Sequence, residues 1–417
     1  RDDNSYHHFW ELEAPLSRTV RTVTSLRMYK RDAEFERRPV TVRDIYARHR
    51  HDRDLETRFE FAPDSLRTLS LTLFHRRNES AFEQSFSYRR TLDHLANGAE
   101  LAYDRAAHGL ALRLAARGAR HKFRINSAAN WRNTGALSAR ALLHNSADSA
   151  AATRLAFAQA GLDYTGGYDP LPRAAVGIIS QNANKRIALS AGVTPLFPRQ
   201  YELDLPFEII STGAGLAALS QSGAPSLRPE RQYTGALEAW FGDTRKSIAL
   251  VATGGLIANG INWRESADQT GQRFFRPLNE DFTYASAQLN ARLTLTNWLA
   301  ARGSAAVYSV DYDSTANPPY TPDYNLFAAL EAQRYFDVVG VDLSGYAEVS
   351  FPGSYYGYNG LLYGQQAIVN ASATARIKSF AFHFVFEDAL NTQYFAREEY
   401  FYIGRYTWYW VTWDFLN

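Results

Sequence analysis

The chain has 417 residues, no cysteine, one methionine and a formal charge of +2. A disulfide framework, a thiolate metal site and a cysteine nucleophile are therefore excluded together. Arginine is frequent in the first third (Arg18, Arg21, Arg27, Arg31, Arg37, Arg38, Arg43, Arg48, Arg50, Arg53 and Arg58), but Asp and Glu interleave with it and cancel a long-range field, so no nucleic-acid partner is expected. Aromatic residues make up 14%, more than a soluble α/β enzyme normally carries. No apolar run reaches the length of about 18 residues that a membrane-crossing helix needs. The negative mean hydropathy still allows crossing by strands, because only every second residue of a barrel strand faces lipid. No secretory signal peptide begins at Arg1, so the expectation is a processed or incomplete chain.

In chain order, the predicted elements are strands with period-two alternation, many of them of the roughly 9 to 11 residues that a tilted membrane strand requires. Leu55, Phe59 and Phe61 oppose Glu56, Arg58 and Glu60; Leu69, Leu71 and Leu73 oppose Thr68, Ser70 and Thr72; Leu110, Leu112 and Leu114 oppose Arg113. The Ala-rich stretch from Leu137 to Ala160 has helical propensity, yet Leu155, Phe157 and Gly161 at odd positions favour strands. The signal is cleaner in the second half. Ala287, Leu289, Ala291, Leu293 and Leu295 face away from Gln288, Asn290, Arg292, Thr294 and Thr296. Val341, Leu343, Ala347, Val349 and Phe351 face away from Asp342, Ser344, Tyr346, Glu348 and Ser350. Phe380, Phe382, Phe384 and Phe386 form a stripe opposite Ser379, Ala381, His383 and Glu387.

Turn chemistry is expected at Asn97-Gly98, Gly166-Gly167, Gly242-Asp243, Gly254-Gly255, Asn259-Gly260, Asn317-Pro318-Pro319 and Asn359-Gly360. At roughly 19 residues per strand and connection, the chain holds about 22 strands. The prediction is an all-β protein: a transmembrane antiparallel up-and-down β-barrel in the bacterial outer membrane, a single domain over residues 1–417. A soluble sandwich or propeller would also alternate, but nothing in such a fold requires apolar stripes on strand after strand. The last segment, Tyr406 to Asn417, sets Tyr409, Val411, Trp413 and Phe415 against Trp408, Trp410, Thr412 and Asp414. It resembles the terminal strand of outer-membrane proteins, with Leu416 and Asn417 following the final aromatic; an edge strand with interfacial aromatics is the plainer reading.

Three motifs in order narrow the class. Leu227-Arg228-Pro229-Glu230-Arg231 resembles the LKPE-type segment of TonB-dependent receptors, with Arg228 in place of Lys. Phe386-Glu387-Asp388-Ala389-Leu390-Asn391-Thr392-Gln393-Tyr394 resembles their ENLLNxxY strand end, and Ile403-Gly404-Arg405 leads into the terminal strand as in that family. The resemblance is clearest from Leu196 to Asn417. It implies a barrel of about 22 strands whose lumen, too wide for side chains to fill, is closed by a plug, and uptake of a small nutrient such as a siderophore, a cobalamin-like molecule or an oligosaccharide. The chain begins almost at once with barrel-like strands, so no plug domain is expected within it. The alternative is a plugless passive pore, or a structural barrel around a partner protein. Expected partners are outer-membrane lipid, the nutrient, and either the TonB system or a lumen-filling protein.

In such receptors ligands meet aromatics and Arg in outer loops, which implies Trp263 and Arg264 in a Gly/Asn-rich loop, Tyr320 and Tyr324 around the Pro cluster, and Tyr355, Tyr356 and Tyr358 after Pro352-Gly353. Interfacial packing is the plainer role for each. Arg58, Arg292, Glu348 and Arg376 are expected on the lumen wall. No catalytic arrangement of Ser, His and Asp or of paired carboxylates stands out, so no enzyme activity and no cofactor are expected. His7 with His8, or His49 with His51, are the nearest to a metal site, but Arg48, Arg50 and Arg53 would repel a dication; no metal is expected.

Overall fold

The computed structural model describes residues 3–37, 44–84, 88–107, 109–125, 128–145, 153–199, 202–203, 208–212, 216–221, 223–243, 245–267, 273–312, 321–356, 362–392, 395–397, 400–401 and 405–413. The alternation read from the sequence becomes strand over most of these segments. Among the described residues twenty-five strands form, of which 21 hydrogen-bond into one sheet. Consecutive long strands pair antiparallel, giving a large up-and-down sheet. One short parallel pairing departs from this pattern, Ser220 and Gln221 beside Phe274 and Phe275.

Chain contacts divide the molecule into two compact units: one of Arg1–Ile178, Ser190–Thr234 and Leu256–Asp281, the other of Ile179–Leu189, Gly235–Gly255 and Phe282–Asn417. The first unit holds β1 (Asp3–Pro15), β2 (Val20–Arg37), β3 (Asp44–Asp64), β4 (Arg67–Gln84), β5 (Tyr88–Ala107), β6 (Leu110–Ile125), β7 (Ala128–Asn145) and β8 (Thr153–Thr165). Each pairs with the next, in one register over most of its length. β9 (Leu171–Asn182) and β10 (Lys185–Leu196) contribute residues to both units, as do β13 (Glu230–Gly242), β14 (Lys246–Ala267) and β15 (Arg273–Thr294). The short β11 (Glu208–Thr212) and β12 (Leu216–Gln221) pair in the connection between β10 and β13.

In the second unit the far part of β15 pairs with β16 (Leu299–Tyr312), then come β17 (Tyr324–Phe336) and β18 (Val341–Pro352). A small hairpin of β19 (Tyr355–Tyr356) and β20 (Leu362–Tyr363) interrupts the meander, which resumes at β21 (Ile368–Ile377) and β22 (Phe380–Glu387). A second hairpin, β23 (Phe395–Arg397) and β24 (Tyr400–Phe401), precedes β25 (Tyr406–Trp413), which pairs with β22.

The burial pattern is inverted relative to a water-soluble sheet protein. Phe380, Phe382, Phe384 and Phe386 keep 38, 40, 47 and 41% of their surface exposed while Ala381 between them keeps 1%. In β3 and β4, Leu55, Phe59, Phe61, Leu69, Leu71 and Leu73 are exposed, whereas the alternate residues Glu60 and Ser70 are buried. Leu289, Leu293, Leu343 and Phe351 repeat the arrangement in the second unit. Within the stretch Leu137 to Ala160 the described residues, 137–145 and 153–160, form parts of β7 and β8 rather than a helix: period-two apolar placement overrides alanine's helical propensity.

Not every expected turn is one. Gly166-Gly167 and Gly242-Asp243 do turn, with positive φ at Gly167 (92°) and Gly242 (133°). Gly242 needs that freedom because a Cβ there would meet the Lys246 carbonyl oxygen at 2.1 Å. Asn97-Gly98 instead lies inside β5, and Gly254-Gly255 and Asn259-Gly260 lie inside β14. The glycine at 98 is a packing residue: its missing side chain is where the Phe74 ring sits, 2.4 Å from an imagined Cβ. Asn259 takes a positive φ of 55° within its strand, a local irregularity that Asp281 stabilises by accepting the Asn259 N–H at 2.6 Å. The motifs expected at Asn317-Pro318-Pro319 and Asn359-Gly360 lie outside the described residues.

Candidate functional site

The polar face of the first unit is an ion-paired wall. Alternate positions on adjacent strands bring opposite charges together: Arg21 of β2 binds Glu13 of β1 at 3.1 Å and also Glu60 of β3, and Arg58 closes on Glu60 from its own strand. Further along, Arg113 of β6 reaches Glu100 at 3.1 Å and Asp104 at 3.5 Å on β5. Phe74 is buried in this wall, with the Arg76 guanidinium 5.1 Å and that of Arg117 4.7 Å from its ring centre. Beyond it His94 stacks on Phe123 at 4.3 Å and shares a 2.9 Å hydrogen bond with His121, whose other ring nitrogen meets Thr134 Oγ1 at 2.8 Å.

Of the wall residues read from the sequence, Arg58 stands in this network. Glu348 belongs to the second unit, where its two oxygens accept from Asn370 Nδ2 at 2.7 Å and from the Tyr346 hydroxyl. Arg292 lies opposite Arg302 in register, and Arg302 is held by Glu331 at 2.6 Å. Arg376 pairs in register with Asp342 on one side and the buried Ala381 on the other, which puts it on the polar face.

The loop candidates separate. Trp263 and Arg264 are not in a loop: both belong to β14. The irregularity at Asn259-Gly260 that reads as a loop is absorbed by the strand. Arg264 Nε donates to Glu280 Oε2 at 2.8 Å, with both side chains only 15% exposed, and Asn262 Nδ2 reaches the same oxygen at 3.4 Å. Glu280 was not legible as a site residue, since the pairing of β14 with β15 is what brings it to Arg264. Tyr324 opens β17, and its carbonyl accepts the Gly353 N–H at 2.7 Å. Tyr355 stacks on Tyr363 across the β19–β20 hairpin at 5.4 Å. Burial, and then the neighbouring Tyr363, push the Tyr355 phenol above its ordinary pKa. Tyr356 is exposed beside it. Tyr320 and Tyr358 lie outside the described residues.

The receptor-like motifs act as latches. Leu227 is buried, and its carbonyl accepts the Tyr168 hydroxyl at 3.0 Å. Arg228 exchanges two hydrogen bonds with the Asn279 side chain at 2.7 and 3.0 Å, and Glu230 accepts the Ile261 N–H at 3.1 Å. In the second motif the fully buried Asp388 takes the Thr392 N–H on Oδ1 at 2.9 Å and gives its own N–H to Asn370 Oδ1 at 2.9 Å. Asn391 then accepts the Arg405 N–H at 3.0 Å. Gln393, Tyr394 and the residues after Trp413 lie outside the described residues. Among the described residues no three His, Asp or Glu side chains gather as a metal site; His8, weighed as a ligand, stacks on Trp10 at 5.6 Å.

An up-and-down sheet with a continuous apolar face and an ion-paired polar face, latched at these motifs, has the fold of the barrel of TonB-dependent receptors, an architecture of the bacterial outer membrane. The copper transporter OprC is similar to it with a TM-score of 0.76, over 99% of this chain and 72% of that one, at 12% identity. The siderophore receptor PirA from Pseudomonas aeruginosa gives 0.65 over 100% and 78% at 13% identity. The FrpB iron transporter from Neisseria meningitidis (F3-3 variant) gives 0.70 over 99% and 72% at 9% identity. These are transporters and receptors by name, and at such identities the likeness is one of fold. The sequence matches no family model and no curated protein.

Proposed function

We propose that residues 1–417 form one outer-membrane barrel that takes up a small nutrient, with metal-chelating siderophores or metal ions the leading class and the TonB system as its energising partner. The observation that carries this reading is the inverted face pattern: exposed leucine and phenylalanine on one side of strands such as β3, β4, β15, β18 and β22, and ion pairs such as Arg21–Glu60 and Arg264–Glu280 on the polar side. The apolar face meets hydrocarbon and the polar face offers a solute hydrated, charge-balanced contacts. The likeness to transporters of copper and iron and to a siderophore receptor supports the solute class. The protein does no covalent chemistry on this reading, since binding and passage need only contacts.

Arg264, held rigid by Glu280 within the first unit, is the proposed ligand contact, because a guanidinium suits an anionic chelate. The test is a titration of the detergent-solubilised protein with ferric catecholate, ferric hydroxamate, copper, cobalamin and a maltodextrin, followed by tryptophan fluorescence. Saturable binding of one metal-containing class is expected, weakened about tenfold or more by Arg264→Ala, the loss of one charge-assisted contact. Binding of the maltodextrin alone, or of none of the five, would sink the reading.

A further inference from the structure

The apolar face of the first unit carries a groove that solute uptake does not use. Its volume is about 670 Å³, and it is floored by Ala116, Ala139 and Ala160 between Leu101, Leu114 and Leu162. Small residues continue the floor: the next cross-strand row on the same face is Gly118 opposite Gly135, and nothing lies within 4 Å of where a Gly118 Cβ would be. Arg120, Lys122 and Arg124 then follow at alternate positions of β6, so all three share the face with Gly118. The Arg120 guanidinium lies 4.2 Å and the Lys122 ammonium 5.3 Å from the Trp131 ring centre on β7. Among the described residues none of the three has a carboxylate partner. Asp93, opposite Arg124 in register, is taken by Arg77 at 3.2 Å.

Beside the Arg77–Asp93 pair, which shares their face, three cations without a carboxylate next to an apolar groove are costly unless an anion meets them there. The four residue steps from Ala116 to Arg120 span about 14 Å, close to half the bilayer's hydrocarbon thickness of about 30 Å. Groove and cations together therefore match the depth of a single leaflet. The leaflet follows from the chain. Beside this end of β6, Arg132 of β7 donates to the Gly166 carbonyl in the turn between β8 and β9 and to the Pro198 carbonyl at the start of the long connection from Leu196 to Glu230. β6 also passes to β7 by a short connection at this end, but the longest connection of the unit lies here, while the opposite end carries the tight turns between β1 and β2, β3 and β4, and β5 and β6. Long connections face the exterior and tight turns the periplasm.

We propose that this groove and its cationic brow bind a phosphorylated, multiply acylated glycolipid of the outer leaflet, of the lipid A type. The proposal rests on the outer-membrane reading above. Phosphates engage Arg120, Lys122 and Arg124, Trp131 holds the first two cations in place, and one acyl chain lies over Gly118 and Ala116.

Native mass spectrometry of the full chain released from detergent tests it, with bis-phosphorylated hexa-acyl lipid A as the probe and phosphatidylethanolamine and inorganic phosphate as competitors. The wild type is expected to retain one lipid A that neither competitor displaces. The triple variant Arg120→Ser, Lys122→Ser, Arg124→Ser is expected to bind about a hundredfold more weakly, each cation contributing about fivefold near an anionic surface. Gly118→Val, which the open space tolerates, weakens lipid A binding by filling the groove. Unchanged retention by the triple variant overturns the proposal, as does displacement by phosphatidylethanolamine or phosphate, or a dimer that buries the groove. Heat-dependent gel mobility on the same samples separates the two levels. A protein folded in detergent whose lipid binding ignores these substitutions refutes the lipid site alone, while a protein soluble and folded without detergent refutes the membrane reading itself.

Discussion

Gly98 shows how much of this sheet depends on the absence of an atom. A Cβ there would lie 2.4 Å from Phe74 Cζ and 2.5 Å from the Gly118 carbonyl oxygen, and the second of these is backbone that cannot swing aside. Gly98→Ala is expected to cost about 1 to 3 kcal/mol through overpacking, read as a lower urea midpoint in micelles. Gly118→Ala, with open space at its Cβ, should stay within about 0.5 kcal/mol of wild type; equal losses at the two glycines would refute the packing. Asp243 governs a different residue-scale effect. Its Oδ1 accepts the Lys246 and Arg245 N–H groups at 2.9 and 2.7 Å, and these bonds hold its carboxyl below the ordinary carboxylate range. A depressed folded pKa stabilises above the unfolded value and the benefit is lost as pH falls through the folded one. The gap in melting temperature between wild type and Asp243→Ala is therefore expected to be constant near neutrality and to close below about pH 4. A gap that persists unchanged at pH 2 contradicts this linkage.

At the scale of the element, each strand is a two-faced object, and the faces differ in what they tolerate. Leu293 is exposed on the apolar face of β15, while its neighbour Arg292 stands on the polar face opposite Arg302. Leu293→Arg is expected to destabilise the refolded protein in liposomes by about 2 to 4 kcal/mol if it sits near the bilayer midplane. Arg292→Leu should be far milder, since it removes one of two like charges facing each other across the strands. Equal effects would mean that the faces are assigned the wrong way round. The same two-facedness made the strands legible: the stripe from Phe380 to Phe386 is written in the sequence at every second position. The turns were less legible, because Asn-Gly and Gly-Gly pairs serve two purposes. In Gly242-Asp243 the glycine supplies a backbone angle; in Asn97-Gly98 it supplies space for a ring from the neighbouring strand, which nothing local reveals.

For the whole molecule, the sign of the burial pattern carries the fold. A soluble sheet protein hides its leucines and shows its glutamates; here Leu55, Leu69 and Phe382 are exposed while Glu60 and Asp388 are buried. Such a surface is stable only where hydrocarbon replaces water around it, and β25 fits that setting, with Tyr409, Val411 and Trp413 exposed on the face of the Phe380–Phe386 stripe. The match to barrels of transporters at 9 to 13% identity shows how little side-chain identity such an architecture needs, since alternation and turn placement specify it.

By itself the sequence determined the strand class, the approximate strand number, the apolar faces and the receptor-like motifs, because a period of two and a motif are local properties of the chain. Only the tertiary structure decided that Trp263 and Arg264 belong to a strand, that Glu280 holds Arg264, that Arg228 and Glu230 are latches onto Asn279 and Ile261, and that Arg120, Lys122 and Arg124 crown a groove floored by alanines from three strands. Those facts depend on register between strands far apart in the chain. Register is set by the pairing of whole strands, so no residue read with its own neighbours contains it.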